Sequence, residues 1–362
     1  MMLKTGAIWL AKRNSQRLKR WINDPLSLQK EQFGRLIEMG RKTRFGREHG
    51  FDEIHSHADF AQKVPIRDYE EIKPYIDLII QGESDVLWPG RPKYFAKTSG
   101  TTSGAKFIPV TPESMPNQVD GARLSLLNYI HQTGNTRFIK GKYIFISGSP
   151  VLENTGGIPS GRLSGIAHRN LPFYLRHKRL PSFKTNATEP WERKLDLIIQ
   201  ETLSEKMSLI SGIPPWLIMY FERLLEKTGK SSVRQVFPQF DLMVHGGVNF
   251  SQYRKKVFSL IGHNIDDLET FPASEGFFAF QDRFPSEGML LIPDGGIFYE
   301  FVPAERFYDK NPPRLSLAEV EAGPNYALVL STNAGLWSYS IGDTVRFVST
   351  FPHRLVVSGR LS

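Results

Sequence analysis

Between Ala96 and Glu113 the sequence reads AKTSGTTSGAKFIPVTPE, which carries six Ser or Thr hydroxyls, two glycines and two lysines. Such residues in a flexible stretch suit the binding of an anion. Glycine allows backbone N–H groups to turn inward around a concave site, the hydroxyls add donors, and Lys106 adds a charge. Hydrogen bonds to charged groups contribute about 1.5–3 kcal/mol each, so a few would hold a polyphosphate. The nucleotide P-loop is not the source of the pattern, because it needs two glycines five apart followed by Lys and Ser or Thr. Here Gly100 and Gly104 are four apart, Ala105 precedes Lys106, and Phe107 follows. The stretch is either a different phosphate loop, built from Thr98, Ser99, Gly100, Thr101, Thr102, Ser103 and Gly104, or a polar surface loop.

Three other short stretches carry residues of chemical interest. In LETFPASEGFF, Ser274 and Glu275 follow a strand-like run, and Gly276 frees the backbone beyond them. A carboxylate at a strand end can hold Mg2+, which takes one or two carboxylates plus substrate phosphates; an ordinary exposed glutamate is the alternative. In WSYSIGD, Asp343 follows a tight Ile-Gly turn and can accept from two ribose hydroxyls, or simply belong to the turn. In VHGGVN, Gly246 and Gly247 would let a planar ring approach the backbone, or form a plain turn. His55 and His57 make a His-x-His pair with no third ligand at suitable spacing, and read as a polar loop.

The elements that must position these residues follow from the apolar pattern. Short apolar runs at 142–147, 208–211, 241–245 and 268–271 alternate with helical stretches such as WERKLDLIIQETLSEK and PWLIMYFERLLEK. That alternation predicts α/β architecture with mostly parallel layered sheets, whose functional residues lie at the carboxyl ends of the strands. From about residue 291 the sequence becomes β-rich, with turns near Asn333-Ala334-Gly335 and Ile341-Gly342-Asp343. Three parts are expected: basic helices over 1–50 packed on the main domain, an α/β core over 51–290, and a β-rich subdomain over 291–362.

The 362 residues carry a net charge of +9, most of it near the start, where residues 1–50 hold 12 Lys and Arg against four Asp and Glu. Leu18, Trp21 and Ile22, then Phe33, Leu36 and Ile37, recur at helical spacing on either side of Asp24-Pro25. Two amphipathic helices with cationic outer faces follow. No nucleic-acid motif accompanies the charge. No apolar run reaches the roughly 18–20 residues of a membrane span, and the opening segment lacks the pattern of a signal peptide. Cysteine is absent, which excludes disulfides and thiolate chemistry and suits a cytoplasmic location.

Taken together, YEEIKPYIDLI, TSGTTSGAKFIPVT, SGIPPW, FPASEGFF, FYEFVP and GLWSYSIGD resemble the auxin-responsive acyl-acid amido synthetases, in their bacterial form, within the acyl-adenylate-forming superfamily. The resemblance extends over nearly all of the chain from about residue 30. It implies the large N-terminal domain of an adenylate-forming enzyme, using ATP and Mg2+ to activate a small carboxylic acid and pass the acyl group to an amine such as an amino acid. Acyl-CoA ligation and a non-catalytic nucleotide- or acid-binding role are the alternatives.

Carried onto this sequence, the resemblance assigns Thr98–Gly104 to the β- and γ-phosphates, with Lys106 alongside. It assigns Gly246 and Gly247 to the adenine and α-phosphate, Ser274 to the α-phosphate and Glu275 to Mg2+. Asp343 would take the ribose hydroxyls with help from Arg360. The acyl group would lie between Arg123 and Leu127 on one side and Ile213 and Trp216 on the other. Phe271 stands where Tyr is usual, so the ring stays and a hydroxyl is lost; Ser340 stands where Arg is often found. The family continues into a mobile C-terminal domain that supplies a lysine and closes the acceptor site. Because the chain ends at Leu361-Ser362, that domain is expected to lie outside it, leaving weak activity or none.

Overall fold

The computed structural model describes residues 2–99, 104–170 and 173–361. Among these, fifteen strands form two sheets. In chain order the strands are β1 (Tyr94–Ser99), β2 (Ala105–Val110), β3 (Lys142–Phe145), β4 (Glu153–Thr155), β5 (Ile158–Gly161), β6 (Arg179–Leu180), β7 (Met207–Gly212) and β8 (Leu242–Gly246). There follow β9 (Asp266–Pro272), β10 (Phe277–Gln281), β11 (Met289–Leu291), β12 (Ile297–Pro303), β13 (Asn325–Thr332), β14 (Tyr339–Thr350) and β15 (His353–Arg360). The smaller sheet has the order β2-β1-β5-β4. The larger has eleven strands in the order β12-β13-β14-β15-β11-β10-β9-β8-β7-β3-β6.

The large sheet has two characters. From β6 through β3, β7 and β8 to β9 every pairing is parallel; from β9 to β10 and onward every pairing is antiparallel. The apolar runs seen in the sequence at 142, 208, 241 and 268 are the cores of β3, β7, β8 and β9, and the helices between them cover both faces. On one face Leu195, Ile198 and Ile199 of the helix Trp191–Thr202, Leu217, Phe221 and Leu224 of the helix Pro214–Thr228, and Val257 and Ile261 of the helix Ser251–Ile261 bury Ile144, Ile210 and Met243. The i, i+3, i+4 spacing of these residues puts them on one stripe. Tyr129 and Ile130 of the helix Met115–Thr133 bury the other face against Leu209, Leu242 and Leu268.

The two N-terminal helices run Met2–Asn23 and Pro25–Gly40, broken where Asp24-Pro25 requires it. Leu18, Trp21 and Leu28 are buried against Leu124, Phe277 and Phe280. Gln29 is also buried, donating to the carbonyls of Pro293 and Ile297 at 2.8 Å each and accepting the Tyr299 N–H at 2.9 Å. A single amide thus joins the second helix to β12. No helix among the described residues is long and apolar enough to cross a membrane.

A second polar anchor lies beneath the β13–β14 connection. Arg314 donates to both oxygens of the fully buried Glu300, at 2.9 and 2.8 Å, and also to the Ser338 hydroxyl. His57 Nε2 lies 2.7 Å from the same carboxylate. The His-x-His pair is therefore not simply a polar loop: His55 precedes the Ser56 cap, while His57 opens the helix His57–Lys63 and joins a buried ion network. Trp337, fully buried, donates from Nε1 to the Leu87 carbonyl at 2.9 Å. Ser338 adopts a positive φ of 50° and is braced by the Ser331 hydroxyl and the Arg67 N–H. The start of β14 is held on both sides.

Candidate active site

The parallel strands bring their carboxyl ends to one side of the sheet. There β7 leads into Ile213 and the helix Pro214–Thr228, β8 ends at Gly246, and β9 leads into the turn that carries Ser274 and Glu275. Two of the glycines here are closely packed, Gly246 against backbone and Gly276 against side chains. A Cβ on Gly246 would lie 2.0 Å from the Thr270 carbonyl oxygen of the adjacent strand, and a Cβ on Gly276 would lie 2.4 Å from Ile297 Cδ1. Gly247 follows with φ +83°, so the chain turns away from the strand at once.

Glu275 sits in a tight turn between β9 and β10. The Ala273 N–H donates to the Gly276 carbonyl at 2.7 Å and the Gln118 amide donates to the Ala273 carbonyl at 2.9 Å, fixing the turn to the helix Met115–Thr133. Ser274 and Glu275 line a narrow cleft of about 10 Å3 with Asn117, Gln118 and Asn333, space for about one water. The Glu275 carboxyl is pushed up to about 7, chiefly by burial and partly by Asp343; its own backbone N–H, Lys106 and Arg360 pull the other way without prevailing. Glu275 has no ion-pair partner among the described residues.

β14 and β15 bring the second half of the site. Asp343 pairs in register with Arg360, whose Nε lies 3.3 Å from Asp343 Oδ1 and whose Nη2 donates to the Ile341 carbonyl at 3.0 Å. Burial raises the Asp343 carboxyl and Arg360 only partly offsets it. β1 and β2 form a hairpin in which Thr98 pairs with Lys106 and Ser99 with Ala105. Gly104 leaves its tip with φ +90°, while Gly100, Thr101, Thr102 and Ser103 lie outside the described residues. The Lys106 ammonium sits 5.5 Å over the Tyr69 ring, and the Tyr69 hydroxyl accepts the Phe107 N–H at 2.8 Å.

Asp343, Arg360 and Lys106, which are up to 254 positions apart in the chain, thus all lie close enough for Glu275 to feel their charge. The other expected residues are placed less uniformly. The Phe271 ring is buried edge-on against Phe278, with centroids 5.0 Å apart. Trp216 packs against Trp191 at 5.0 Å, and Ile213 Cγ2 lies 3.2 Å from the position a Gly247 Cβ would take. Arg123 is exposed and pairs with Asp120 on its own helix at 2.9 Å, and Leu127 is half-buried against the cluster that holds Tyr129, Leu209, Leu242 and Leu268.

The sequence reading missed several neighbours. Tyr339, 2% exposed, stands close enough to Glu275 for their charges to interact. Lys194, 3% exposed, donates to the Ser147 carbonyl just past β3 at 2.8 Å, and burial pulls its ammonium down to about 8. His245 is buried behind Gly246, with Nε2 3.2 Å from Asp267, which also accepts two bonds from Arg254. A lysine on the apolar stripe of the Trp191–Thr202 helix was the one available signal; the others emerge only from strand pairing.

The architecture is that of adenylate-forming ligases. A solved acyl acid amido synthetase, AtGH3.15 in complex with 2,4-DB, superposes with a TM-score of 0.79 at 16% identity, covering 97% of this chain and 70% of that one. An open conformation of 2-hydroxyisobutyryl-CoA ligase superposes with a TM-score of 0.60 at 12% identity, covering 91% and 73%. Residues 14–196 match the GH3 family N-terminal domain and residues 289–360 the GH3 family central domain. The chain belongs to the GH3 family, a family of amide-forming ligases. The jasmonoyl–L-amino acid synthetase JAR4 of Nicotiana attenuata is 22% identical, with 89% of this chain and 67% of that protein aligned. The indole-3-acetic acid-amido synthetase GH3.2 of Arabidopsis thaliana is also 22% identical, over 89% and 71%.

Proposed function

We propose that this chain uses ATP to activate a small carboxylic acid as its acyl-adenylate and passes the acyl group to an amine such as an amino acid. The observation that carries the reading is the Glu275 carboxyl, half-buried at the carboxyl end of the parallel strands without an ion-pair partner and pushed up to about 7. Such a carboxylate lacks a cation, and Mg2+ takes one or two carboxylates together with phosphate oxygens. Among the described residues no group of three or more His, Cys, Asp or Glu is arranged as a metal site, so the ion in this reading would take its remaining ligands from the nucleotide. Mg2+ would supply neutralisation of phosphate charge.

In this reading Thr98–Gly104 and Lys106 hold the β- and γ-phosphates, Ser274 the α-phosphate, Gly246 and Gly247 lie along the adenine and α-phosphate, and Asp343 with Arg360 holds the ribose. The acid lies toward Ile213, Trp216, Arg123 and Leu127. Its carboxylate oxygen attacks the α-phosphorus in line, the bond to the β-phosphate oxygen breaks, and pyrophosphate leaves. The amine then displaces AMP from the acyl carbon, losing a proton. No side chain becomes acylated, so the protein's contribution is positioning and electrostatic stabilisation.

Thermal unfolding with MgATP tests the reading. A site filled at a hundred times its dissociation constant adds about 2.7 kcal/mol of stability. The parent chain should show that gain and Glu275→Ala should lose it; equal responses would remove Glu275 from the nucleotide site. Product analysis with coenzyme A set against mixed amino acids separates amide formation from thioester formation, the competing outcome given the likeness to a CoA ligase.

A further inference from the structure

A second cavity, of about 510 Å3, opens beside the edge strand β6, between the helix Leu163–Arg169 and the short helix Phe183–Asn186. Its volume falls within the roughly 300–1,000 Å3 of small-molecule sites. Arg169, Arg176 and Arg179 line it together with His168 and Phe183, and no carboxylate is among the described residues around it. Glu201, which touches the neighbouring Ser182, is already engaged: it accepts from the Ser182 N–H and hydroxyl and from the Thr185 hydroxyl.

Arg179 shows what is missing. Its guanidinium is half-buried, lies 5.3 Å over the Phe145 ring and donates to His168 Nδ1, while its Nε is buried with no hydrogen-bond partner. Burial draws this guanidinium down to about 10. Burial, followed by the charges of Arg179, Arg176 and Arg169, also draws His168 below its ordinary range, which leaves the ring neutral as an acceptor. Arginines at greater depth resolve the same problem with a carboxylate: Arg314 has Glu300 and Arg354 has Asp282. A guanidinium taken out of water without a counter-ion is costly, and its planar fork matches phosphate oxygens well.

Pro181 and Ser182, which line the cavity, directly follow β6, a strand parallel to β3, so the cavity opens at a carboxyl strand end. Phe145 ends β3, and Asn186, at the far end of the helix that begins with Phe183, donates to the Ser147 hydroxyl just beyond that strand at 3.2 Å. The carboxyl ends of parallel strands are the common ligand side of such sheets. Phe183 stands at the rim, 46% exposed, with its ring against His168 at 6.0 Å.

We propose that this cavity is a second anion site, separate from the one at Glu275, which binds the phosphate group of a small phosphorylated molecule on Arg169, Arg176 and Arg179. Phe183 offers an aromatic edge to whatever the phosphate carries. The proposal rests on the cavity's own geometry and does not depend on the adenylation reading.

Calorimetric titration of the whole chain with inorganic phosphate and with phenyl phosphate, in low-salt chloride buffer, provides the test. The parent should bind one phosphate in this cavity. The Arg169→Gln/Arg176→Gln double variant, altered only at exposed side chains, should melt at the parent's temperature and bind at least about tenfold more weakly. Arg179→Gln should weaken binding similarly, whereas Lys106→Ala, at the other site, should leave it unchanged. Tighter binding of phenyl phosphate than of inorganic phosphate would assign a phosphomonoester, and equal binding a free phosphate; both support the site. No binding to the parent at millimolar phosphate would overturn it. So would binding that the double variant retains in full or that Lys106→Ala abolishes.

Discussion

Glu300 and Glu275 are both carboxylates withdrawn from water, and their surroundings treat them oppositely. Burial alone would push the Glu300 carboxyl up, but His57 and Arg314 outweigh it and hold the group below its ordinary range. At Glu275 burial prevails, Asp343 adds to it, and Lys106 and Arg360 are too weakly placed to reverse it. The first anion is completed by the protein itself. The second has been left for a ligand to complete. A perturbed carboxylate in a cleft is a functional candidate because of such incompleteness, whereas a carboxylate answered by a two-pronged arginine is part of the scaffold.

The largest test of this contrast is Glu300→Ala. It leaves Arg314 buried and unpaired, and a chemical denaturation curve should show a loss of about 3–5 kcal/mol. A loss under about 1 kcal/mol would mean that water reaches Arg314 and the anchor is dispensable. Next in size is Glu275→Gln. The folded state keeps the Glu275 proton up to about 7, while the unfolded chain releases it near 4.5. The ionised carboxylate therefore costs stability fully above pH 7 and not at all below about pH 4. The variant should be more stable than the parent by on the order of 2–3 kcal/mol at pH 8, with the gain gone at pH 4. Glu300 has the opposite sign: its contribution is present above its unfolded value near 4.5 and disappears as pH falls through its lower folded value.

Asp343→Asn should weaken MgATP binding by roughly 10- to 100-fold, the worth of charged hydrogen bonds, with little change in melting temperature; an unchanged affinity would separate Asp343 from the nucleotide. The smallest effect expected is that of Arg123→Ala. Its surface ion pair with Asp120 is worth under about 1 kcal/mol, so stability should barely move. Titration with carboxylic acids then shows whether Arg123 reads the acid, and an identical acid profile would remove it from that role.

Local pattern revealed what local physics decides. Asp24-Pro25 marked the helix break, and the apolar runs marked β3, β7, β8 and β9. The continuity of the antiparallel strands with the parallel ones was not visible, because β11 pairs with β15 across more than sixty residues and no local signal encodes that. The same holds for charge. His57, Glu300 and Arg314 come from three separate segments and looked like unrelated polar residues until strand pairing and packing gathered them. The sequence directed attention to Glu275 through the turn it sits in and to Asp343 through an expected Ile-Gly turn. Ile341, Gly342 and Asp343 instead lie inside β14, where Gly342 takes a positive φ of 80° without ending the strand. Tyr69 and Tyr339, which pack around the same place, carried no mark beyond being aromatic.

The turn from Ala273 to Gly276 has a consequence for how such a chain changes over time. Crossovers after β3, β7 and β8 are long, and the loops that join their core-covering helices to the strands can gain or lose residues while the strands keep their places. The β9–β10 connection is four residues long, crossed by its own backbone hydrogen bond and filled by a glycine packed closely against side chains. One added residue there would turn Glu275 to the other side of the chain. Length variation should therefore accumulate around the region assigned to the acid and be nearly absent from the turn that mounts the carboxylate, so that descendants of one ancestor could exchange acids without rebuilding the nucleotide site.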